Sequence, residues 1–407
     1  MSARALDGIK VLDLSRVLAG PWSTQILADF GADVLKVEQP AKGDDTRAWG
    51  PPFLPRADGS DDPQESAYYL CTNRNKRSAA IDIATPDGAA LIRRLAAEAD
   101  ILVENFKVGG LAKYGLDYAQ IAALNPRVVY CSITGFGQTG PYATRGGYDF
   151  VAQGMGGFMS VTGEQGGGPL RAGVAMADLS TGNFATISIL MALRHAERTG
   201  EGQQIDISLL DTQIAMMANQ ASTYLVSGEN PPRMGNRHPT VVPYTTFVTA
   251  DRTIIIAVGN DGQFRALCRE LGVGELGEDP RFATGRARVI NREAIEGTIR
   301  ELVLGLASGP LIERLVACGV PCGPVNSLEE IFADPFVEAR GTVHRFARDG
   351  VEIPVVTYPG KLSATPAECR TPPPRVGEQS REVLADWLGL GDEELAGLEA
   401  SGAVKQR

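Results

Sequence analysis

The feature that most constrains the fold is the regular alternation of short apolar runs and helical patterns over the first 134 residues. The predicted strands lie at 9–15, 33–39, 77–83, 100–105 and 128–134. Helices are predicted from Pro21, over 86–98 and around 118–124. Parallel strands need a crossover between them, which a helix usually supplies. The sequence therefore predicts an α/β fold with a doubly wound parallel sheet, interrupted by a polar surface loop over 40–65.

The remaining chain changes character several times. Residues 135–177 are glycine-rich and irregular, and a long helix is predicted over about 179–198. A strand at 203–210, a Met/Ala-rich helix over about 211–226 and an extended segment at 228–244 follow. Strands and helices start again over about 245–325, which predicts a compact second domain. Two strands near 341–347 and 353–358 and two helices over 380–388 and 392–401 close the chain.

Composition excludes several classes of function. The formal net charge is −10, which disfavours a binder of nucleic acid or of anionic membranes, because both need a basic surface. Of the six cysteines only Cys318 and Cys322 are close together, and there are three histidines, so neither a metal site nor a disulfide framework is expected. No signal peptide is evident, and the apolar segment near 183–193 is short for a membrane span. We therefore expect a cytoplasmic protein without a membrane partner.

One glycine motif has two interpretations. GFGQTG at 135–140 fits the spacing of a dinucleotide fingerprint and follows a predicted strand. A true fingerprint opens a helix in the first strand–helix–strand unit, whereas Pro141, Tyr142 and more glycines follow here. The motif is therefore interpreted as a glycine-rich turn.

Three residues near the long helix carry candidate chemistry. Asp178 stands where that helix begins, so it is a candidate N-cap, since Asp readily accepts a free backbone N–H. The same position suits a carboxylate nucleophile that the positive end of the helix keeps ionised. Tyr148 is more typical of a core residue, and Asp149 is either a turn residue or a second carboxylate beside Asp178.

Basic residues cluster near the ends of two predicted strands. Lys107 and Lys113 follow VENF at 103–106, and Arg74, Lys76 and Arg77 precede the strand at 77–83. Each group alone is most typical of a solvated face. Together, at the edge of a parallel sheet where ligands bind, they could hold phosphates.

Two further segments allow a structural or a functional interpretation. VGNDGQF at 258–264 places Gly259 and Gly262 between a strand and a helix, either as a simple turn or as a mobile loop over a site. His238, in GNRHP, is more typical of a structural histidine than of a catalytic one.

Seven segments, taken together and in order, resemble the class III (family III) CoA-transferases. They are VLDLSRVLAGPWSTQILADFGADVLKVEQP, NKRS with the following IDI, VENF with KYGLDY, ALNPRVVYCSITGFGQTGPY, RGGYD, GVAMADLSTG and GVPCGPVNSLEEIFADP. The resemblance covers nearly the whole chain. AGVAMADLSTG, GNRHPTVVPYTTF and AVGNDGQF are most similar to the succinate–hydroxymethylglutarate CoA-transferase branch.

This resemblance implies a Rossmann-like large domain built from both ends of the chain, a smaller α/β domain and an interlocked homodimer. The implied boundaries are 1–210 for the first part of the large CoA-binding domain, 211–244 for a linker helix and extended segment, 245–325 for the small domain and 326–407 for the returning segment. No prosthetic group is implied, and the substrates are CoA thioesters and free carboxylic acids.

The resemblance also assigns roles to individual residues. It implies that Asp178 is the nucleophile. It also implies that Gly259 to Gly262 correspond to a glycine loop that closes over the intermediate. The implied CoA contacts are Leu18, Ala19, Gln39, Asn73, Arg74, Asn75, Lys76, Asn105, Phe106, Lys107, Lys113 and Arg145. Gln39 departs from the family pattern, because formyl-CoA transferase has an arginine there.

The implied reaction moves CoA from an acyl-CoA, with succinyl-CoA as the expected donor, to a small dicarboxylate. Arg171, Arg237 and His238 are candidates to hold a distal carboxylate. Two alternatives stay open, a 2-methylacyl-CoA racemase and a non-catalytic CoA-binding protein. The racemases resemble this chain but carry a histidine in place of Tyr148, and tyrosine, which titrates near 10, is a poor base at neutral pH.

Overall fold

The computed structural model describes residues 4–55 and 65–406, so part of the predicted 40–65 loop, residues 56–64, lies outside the described residues. Its strands are β1 Lys10–Asp13, β2 Asp33–Glu38, β3 Lys76–Ile81, β4 Ile101–Glu104, β5 Val129–Thr134, β6 Gln203–Ser208, β7 Tyr244–Val248, β8 Thr253–Ala257, β9 Cys322–Pro324, β10 Val343–Arg348, β11 Val351–Val356 and β12 Val404–Lys405. Its helices are α1 Ala19–Asp29, α2 Ala67–Leu70, α3 Pro86–Glu98, α4 Tyr118–Leu124, α5 Asp149–Met155, α6 Phe158–Val161, α7 Met176–Thr199, α8 Leu209–Met216, α9 Ala218–Ser227, α10 Asp261–Glu270, α11 Gly285–Ile290, α12 Arg292–Leu304, α13 Ser308–Ala317, α14 Leu328–Ala333, α15 Pro335–Arg340, α16 Ser380–Leu388 and α17 Asp392–Ala400.

The chain divides into two compact units. The first comprises Met1–Phe158, Arg171–Gly228 and Glu338–Arg407, and the second comprises Met159–Leu170 and Glu229–Val337. The short segment 159–170 thus clusters with the second unit, whereas the sequence analysis placed it in the first large-domain segment.

The first unit is built on a seven-stranded sheet with the order β12-β3-β2-β1-β4-β5-β6. All neighbours are parallel except β12, which pairs antiparallel with β3. The order 3-2-1-4-5-6 is that of the doubly wound nucleotide-binding fold, so the predicted fold class is confirmed. The connections change direction between β1 and β4, and ligands of such sheets bind at the carboxyl ends of the strands at this switch point.

Both faces of this sheet are covered by apolar layers. One buried cluster includes residues of α3, α4, α16 and α17, and the other includes residues of α1, α5 and α7. Helix α7 approaches α1 closely at Gly182, where an added Cβ would lie 2.7 Å from the carbonyl oxygen of Ala19. This glycine lets the start of α7 lie beside the start of α1, both of which belong to the candidate site.

The long helix starts earlier than predicted. It runs over Met176–Thr199 with Ala175 as its N-cap, so Asp178 is its third residue and the N-cap interpretation of Asp178 is wrong. This is the one helix of the described residues that is long and apolar enough to cross a membrane, and 56% of its apolar window is buried. Burial of that extent is typical of a helix in a protein core.

The second unit has its own core. Strands β7, β8 and β9 form an antiparallel sheet, and its buried cluster includes residues of α10, α12 and α13. Asn260 caps α10 by accepting the Gln263 amide at 2.9 Å. Gly262 therefore lies in the first turn of α10, and only Gly259 lies between strand and helix as predicted.

Candidate active site

A cavity of about 240 Å³ opens beside the switch point of the sheet. Its walls come from the loop after β1, the loop after β4, the glycine-rich stretch after β5 and the first turn of α7. Eight residues singled out from the sequence line it, namely Leu18, Ala19, Asn105, Phe106, Lys107, Arg145, Tyr148 and Asp178. Residues up to 160 positions apart are thus brought together by the topology of the sheet.

Asp178 is the carboxylate of this cavity. It is only 8% exposed, and burial, together with the negative charge of Asp149, raises its pKa to about 7. Within the described residues no group donates a hydrogen bond to the Asp178 carboxylate. A weakly solvated carboxylate at the wall of a cavity is available to attack an electrophile, provided that it is ionised.

Asp149 holds the start of α7. Its Oδ1 accepts the backbone amides of Ala177 at 2.8 Å and Asp178 at 3.4 Å, which supplies the cap that Ala175 lacks. Its Oδ2 accepts the Gln153 side-chain amide at 2.7 Å, and Gln153 Oε1 in turn accepts the Ala172 amide at 2.9 Å. Asp149 is therefore a positioning residue, and the supporting role of Gln153 was missed by the sequence analysis.

A second cavity, of about 470 Å³, lies over the carboxyl ends of β1, β2 and β3. Arg16, Phe106 and Lys107 line both cavities. Four residues expected from the sequence line the larger cavity, namely Gln39, Phe106, Lys107 and Lys113. Arg16 and Lys42, which were not predicted from the sequence, also line it, and their side chains both pair with Asp45 at 2.7 Å.

Gln39 is held by the loop that follows it. Its Oε1 accepts the backbone amides of Ala41 at 2.7 Å and Lys42 at 2.9 Å. The position thus shapes the wall of the larger cavity, without the charge that an arginine would bring.

Comparison with known proteins decides the family. A model of CoA-transferase family III matches residues 6–380. The chain belongs to this family. It is 54% identical over 382 residues to a succinate–glutarate CoA-transferase of Agrobacterium fabrum, covering 94% of this chain and 95% of the relative. It is 40% identical over 408 residues to human succinyl-CoA:glutarate CoA-transferase, covering 99% and 90%.

The fold of the family is also matched. A crystal structure of a CAIB/BAIF family protein from Brucella suis is 48% identical, with a TM-score of 0.84 over 95% of this chain and 100% of that chain. The family resemblance drawn from the sequence is thereby confirmed, and the chain is a family III CoA-transferase whose substrates are CoA thioesters.

Four residues for which the family resemblance implies CoA contacts bond other residues of the protein through their side chains. Lys76 is buried with its Nζ 3.1 Å from Asp13, and it also bonds Asn73 Oδ1 at 3.0 Å. Arg74 and Asn75 both bond Asp29, at 2.5 and 2.8 Å. Neither cavity described above includes any of them. Because their polar groups bond other residues of the protein, these four residues are not part of the proposed CoA site.

The three candidates for a distal carboxylate lie in different surroundings. Arg171, in the first unit, is exposed and stacks on Phe150, next to Asp149. Arg237, in the second unit, is committed to Glu293 at 2.7 Å and Glu296 at 3.0 Å.

His238 has a structural environment. Its Nδ1 accepts the Thr240 amide at 3.2 Å, and its ring stacks on Tyr244. Of the three candidates, only Arg171 lies in the same unit as Asp178.

Two tyrosines complete the surroundings of Asp178. Tyr148 is 66% exposed and lines the smaller cavity. Tyr68, which the sequence analysis missed, is half-buried and stacks edge-on against Trp49. Burial and the negative charge of Asp178 raise the pKa of Tyr68 to about 12, so its phenol keeps its proton at neutral pH. The described residues contain no cluster of metal-ligating side chains.

Proposed function

We propose that this enzyme transfers CoA from succinyl-CoA to a small dicarboxylic acid, with Asp178 as the nucleophile. The observation that carries the proposal is the buried Asp178 carboxylate in the wall of the cavity at the switch point. Relatives named for succinate and glutarate at 54% and 40% identity support the choice of donor and acceptor.

The proposed reaction has two halves. An Asp178 oxygen attacks the thioester carbonyl of the donor, the C–S bond breaks, and a mixed acyl-aspartyl anhydride and the CoA thiolate form. The thiolate then attacks the Asp178 carbonyl carbon and releases the donor's carboxylate, which leaves an aspartyl-CoA thioester. The acceptor carboxylate attacks this thioester, and the freed thiolate attacks the acceptor's acyl carbonyl. The new acyl-CoA leaves and Asp178 is a carboxylate again.

The two cavities suit the two ends of CoA. The larger one is bordered by Lys42, Lys107 and Lys113, whose ammonium groups can pair with the phosphates of the nucleotide end. Because Arg16, Phe106 and Lys107 line both cavities, the pantetheine arm can pass along them to the smaller cavity and bring its sulfur to Asp178. Leu18, Ala19 and Arg145 then border the reacting end of the substrate.

One part of the site rests on the family resemblance. Arg171 is proposed to hold the distal carboxylate of the dicarboxylate, supported by its exposure in the same unit as Asp178.

The assembly is proposed to be a homodimer. Helices α7, α8 and α9 expose many large apolar side chains, more than a monomer usually presents in one region. They are Phe184, Ile187, Leu190, Met191, Ile214, Met216, Tyr224, Leu225 and Val226. A second copy of the chain would cover this surface.

The function is tested with succinyl-CoA and a panel of free acids that includes glutarate, 3-hydroxy-3-methylglutarate, citramalate, oxalate and butyrate. Mass spectrometry follows new acyl-CoA species. We expect dicarboxyl-CoA products with the wild type and a loss of at least about 10³-fold with Asp178→Ala, the scale on which covalent nucleophiles contribute. The matched control is Asp87→Ala, because Asp87 is an exposed aspartate in the first turn of α3. Exchange that persists in Asp178→Ala would reject the nucleophile, and solvent deuterium at the α-carbon without any acceptor would favour the racemase.

A further inference from the structure

The turn between β1 and α1 carries backbone strain beside the reaction cavity. Val17 has a φ of 73°, in the left-handed region that a β-branched residue strongly disfavours. Arg16, Val17, Leu18 and Ala19 all line the smaller cavity. Such a conformation persists only where its surroundings enforce it, so neighbouring groups must hold this turn in place.

Asp44 holds the turn from one side. Both of its carboxylate oxygens lie 3.3 Å from the Val17 amide nitrogen. Asp44 is itself fixed by the buried ammonium of Lys36 at 2.8 Å, and Lys36 also donates to the Ser15 carbonyl at 3.0 Å. Although burial opposes ionisation, the charge of Lys36 lowers the pKa of Asp44 to about 2, so the carboxylate is ionised at neutral pH.

Asn105 holds the turn from the other side. Its Oδ1 accepts the Arg16 amide at 3.1 Å, and its Nδ2 donates to the Arg16 carbonyl at 2.7 Å. Asn105 directly follows β4, so this pair of bonds bridges β1 and β4 across the switch point of the sheet. Both polar ends of the side chain are occupied by the protein backbone.

We infer that Asp44 and Asn105 are positioning residues, which clamp the strained Val17 turn so that Leu18 and Ala19 face the reacting thioester. These two side chains accept the backbone amides of Arg16 and Val17. The inference rests on the proposed function for its role in transfer. It also replaces the expectation that Asn105 is a CoA contact.

The distinguishing experiment compares turnover with CoA affinity. Asn105→Ala removes both bonds to Arg16, and Asn105→Asp keeps the acceptor but places a carboxylate against the Arg16 carbonyl. We expect kcat to fall about 10- to 100-fold in both, since small misplacements at a reacting centre have effects of this size. The dissociation constant of CoA, measured by calorimetry, should change less than about threefold. A weaker CoA affinity with an unchanged kcat would overturn the inference and restore Asn105 as a CoA contact.

A matched comparison uses the neighbouring Lys107, which is exposed and lines both cavities. Lys107→Ala should weaken the CoA affinity, which sets the size of the change expected when a CoA contact is lost. Asn105 is the first choice for mutation because it lies outside the buried pair of Lys36 and Asp44, where a substitution could prevent folding.

A double-mutant cycle tests whether the clamp acts through the strained turn. Val17→Gly accepts a positive φ without strain and so loosens the turn by itself. Its effect on kcat should be less than additive with that of Asn105→Ala, because both changes release one element. Strict additivity would contradict the inference.

A measurement independent of activity separates this inference from the proposed function. Hydrogen–deuterium exchange of the segment 15–20 should rise at least about tenfold in Asn105→Ala, while exchange in β5 stays as in the wild type. This result is expected even if the wild-type enzyme transfers no CoA to any acid, an outcome that would reject only the proposed function. Unchanged exchange over 15–20 would reject the clamp.

Discussion

At the scale of single residues, the site depends on two carboxylates with different tasks. The carboxylate oxygens of Asp149 accept hydrogen bonds from the first turn of α7 and from the Gln153 side chain. Asp178 is the proposed nucleophile, and its carboxyl group must be ionised before it can attack. Because burial and the charge of Asp149 raise the pKa of Asp178 to about 7, we expect the activity to rise with pH through the neutral range.

The substitution Asp149→Asn tests this division. The amide oxygen of Asn can still accept the Ala177 amide, but the negative charge is gone, so the pKa of Asp178 should fall. We expect the acidic limb of the kcat/KM profile to move to lower pH by roughly 0.5 to 1 unit, together with some loss of rate from the weaker Gln153 contact.

The control is Gln153→Leu, which removes the hydrogen bond from Gln153 to Asp149 without changing a charge. Its kcat should fall, while its acidic limb stays in place. If the limb of Asp149→Asn coincided with that of the wild type, Asp149 would not tune Asp178.

At the scale of elements, the helices α7, α8 and α9 combine a buried face with an exposed apolar one. Buried Ile189 and Leu193 pack towards the sheet, while Met191 is 69% and Val226 89% exposed. Burial of such side chains gains roughly 25 cal/mol per Å² of apolar surface. This surface therefore supports the proposed homodimer.

The corresponding prediction concerns mass in solution. Light scattering should give twice the 43.2 kDa of one chain, and Leu225→Asp with Val226→Asp should shift the protein to monomer or lower its expression as folded dimer. The control is Leu124→Asp, a substitution at a single exposed leucine of α4. A wild-type mass of one chain at micromolar concentration would contradict the dimer.

At the scale of the whole molecule, local patterns predicted the parallel sheet well, because strand and helix periodicities are properties of neighbouring residues. The five early strands were found, and Asp178 was placed within a few residues of the start of its helix. The cap of that helix was not predicted, because the side chain that accepts its first amides belongs to Asp149, almost thirty residues earlier. Local sequence does not show which distant side chain will reach a helix end.

Long-range ion pairs also explain why the surroundings of the NRNKRS segment were not predicted. The basic residues of NRNKRS are typical of phosphate ligands. In the structure Arg74 pairs with Asp29 and Lys76 pairs with Asp13, and both aspartates belong to other elements. For the same reason the clamp on the turn was not predicted, since Asp44, which accepts the Val17 amide, and Asn105, which accepts the Arg16 amide, come from the loops after β2 and β4. Pairing between distant segments follows from strand order, which periodicity alone does not give.

In the proposed mechanism Asp178 becomes covalently bonded to CoA. The most direct measurement is intact-protein and peptide mass spectrometry after rapid mixing of the enzyme with succinyl-CoA in the absence of an acceptor, followed by acid quench. We expect a CoA thioester on the peptide that contains Asp178, which disappears when glutarate is added and is absent from Asp178→Asn. Normal turnover without any adduct at Asp178, or an adduct that maps to another residue, would rule out Asp178 as the nucleophile.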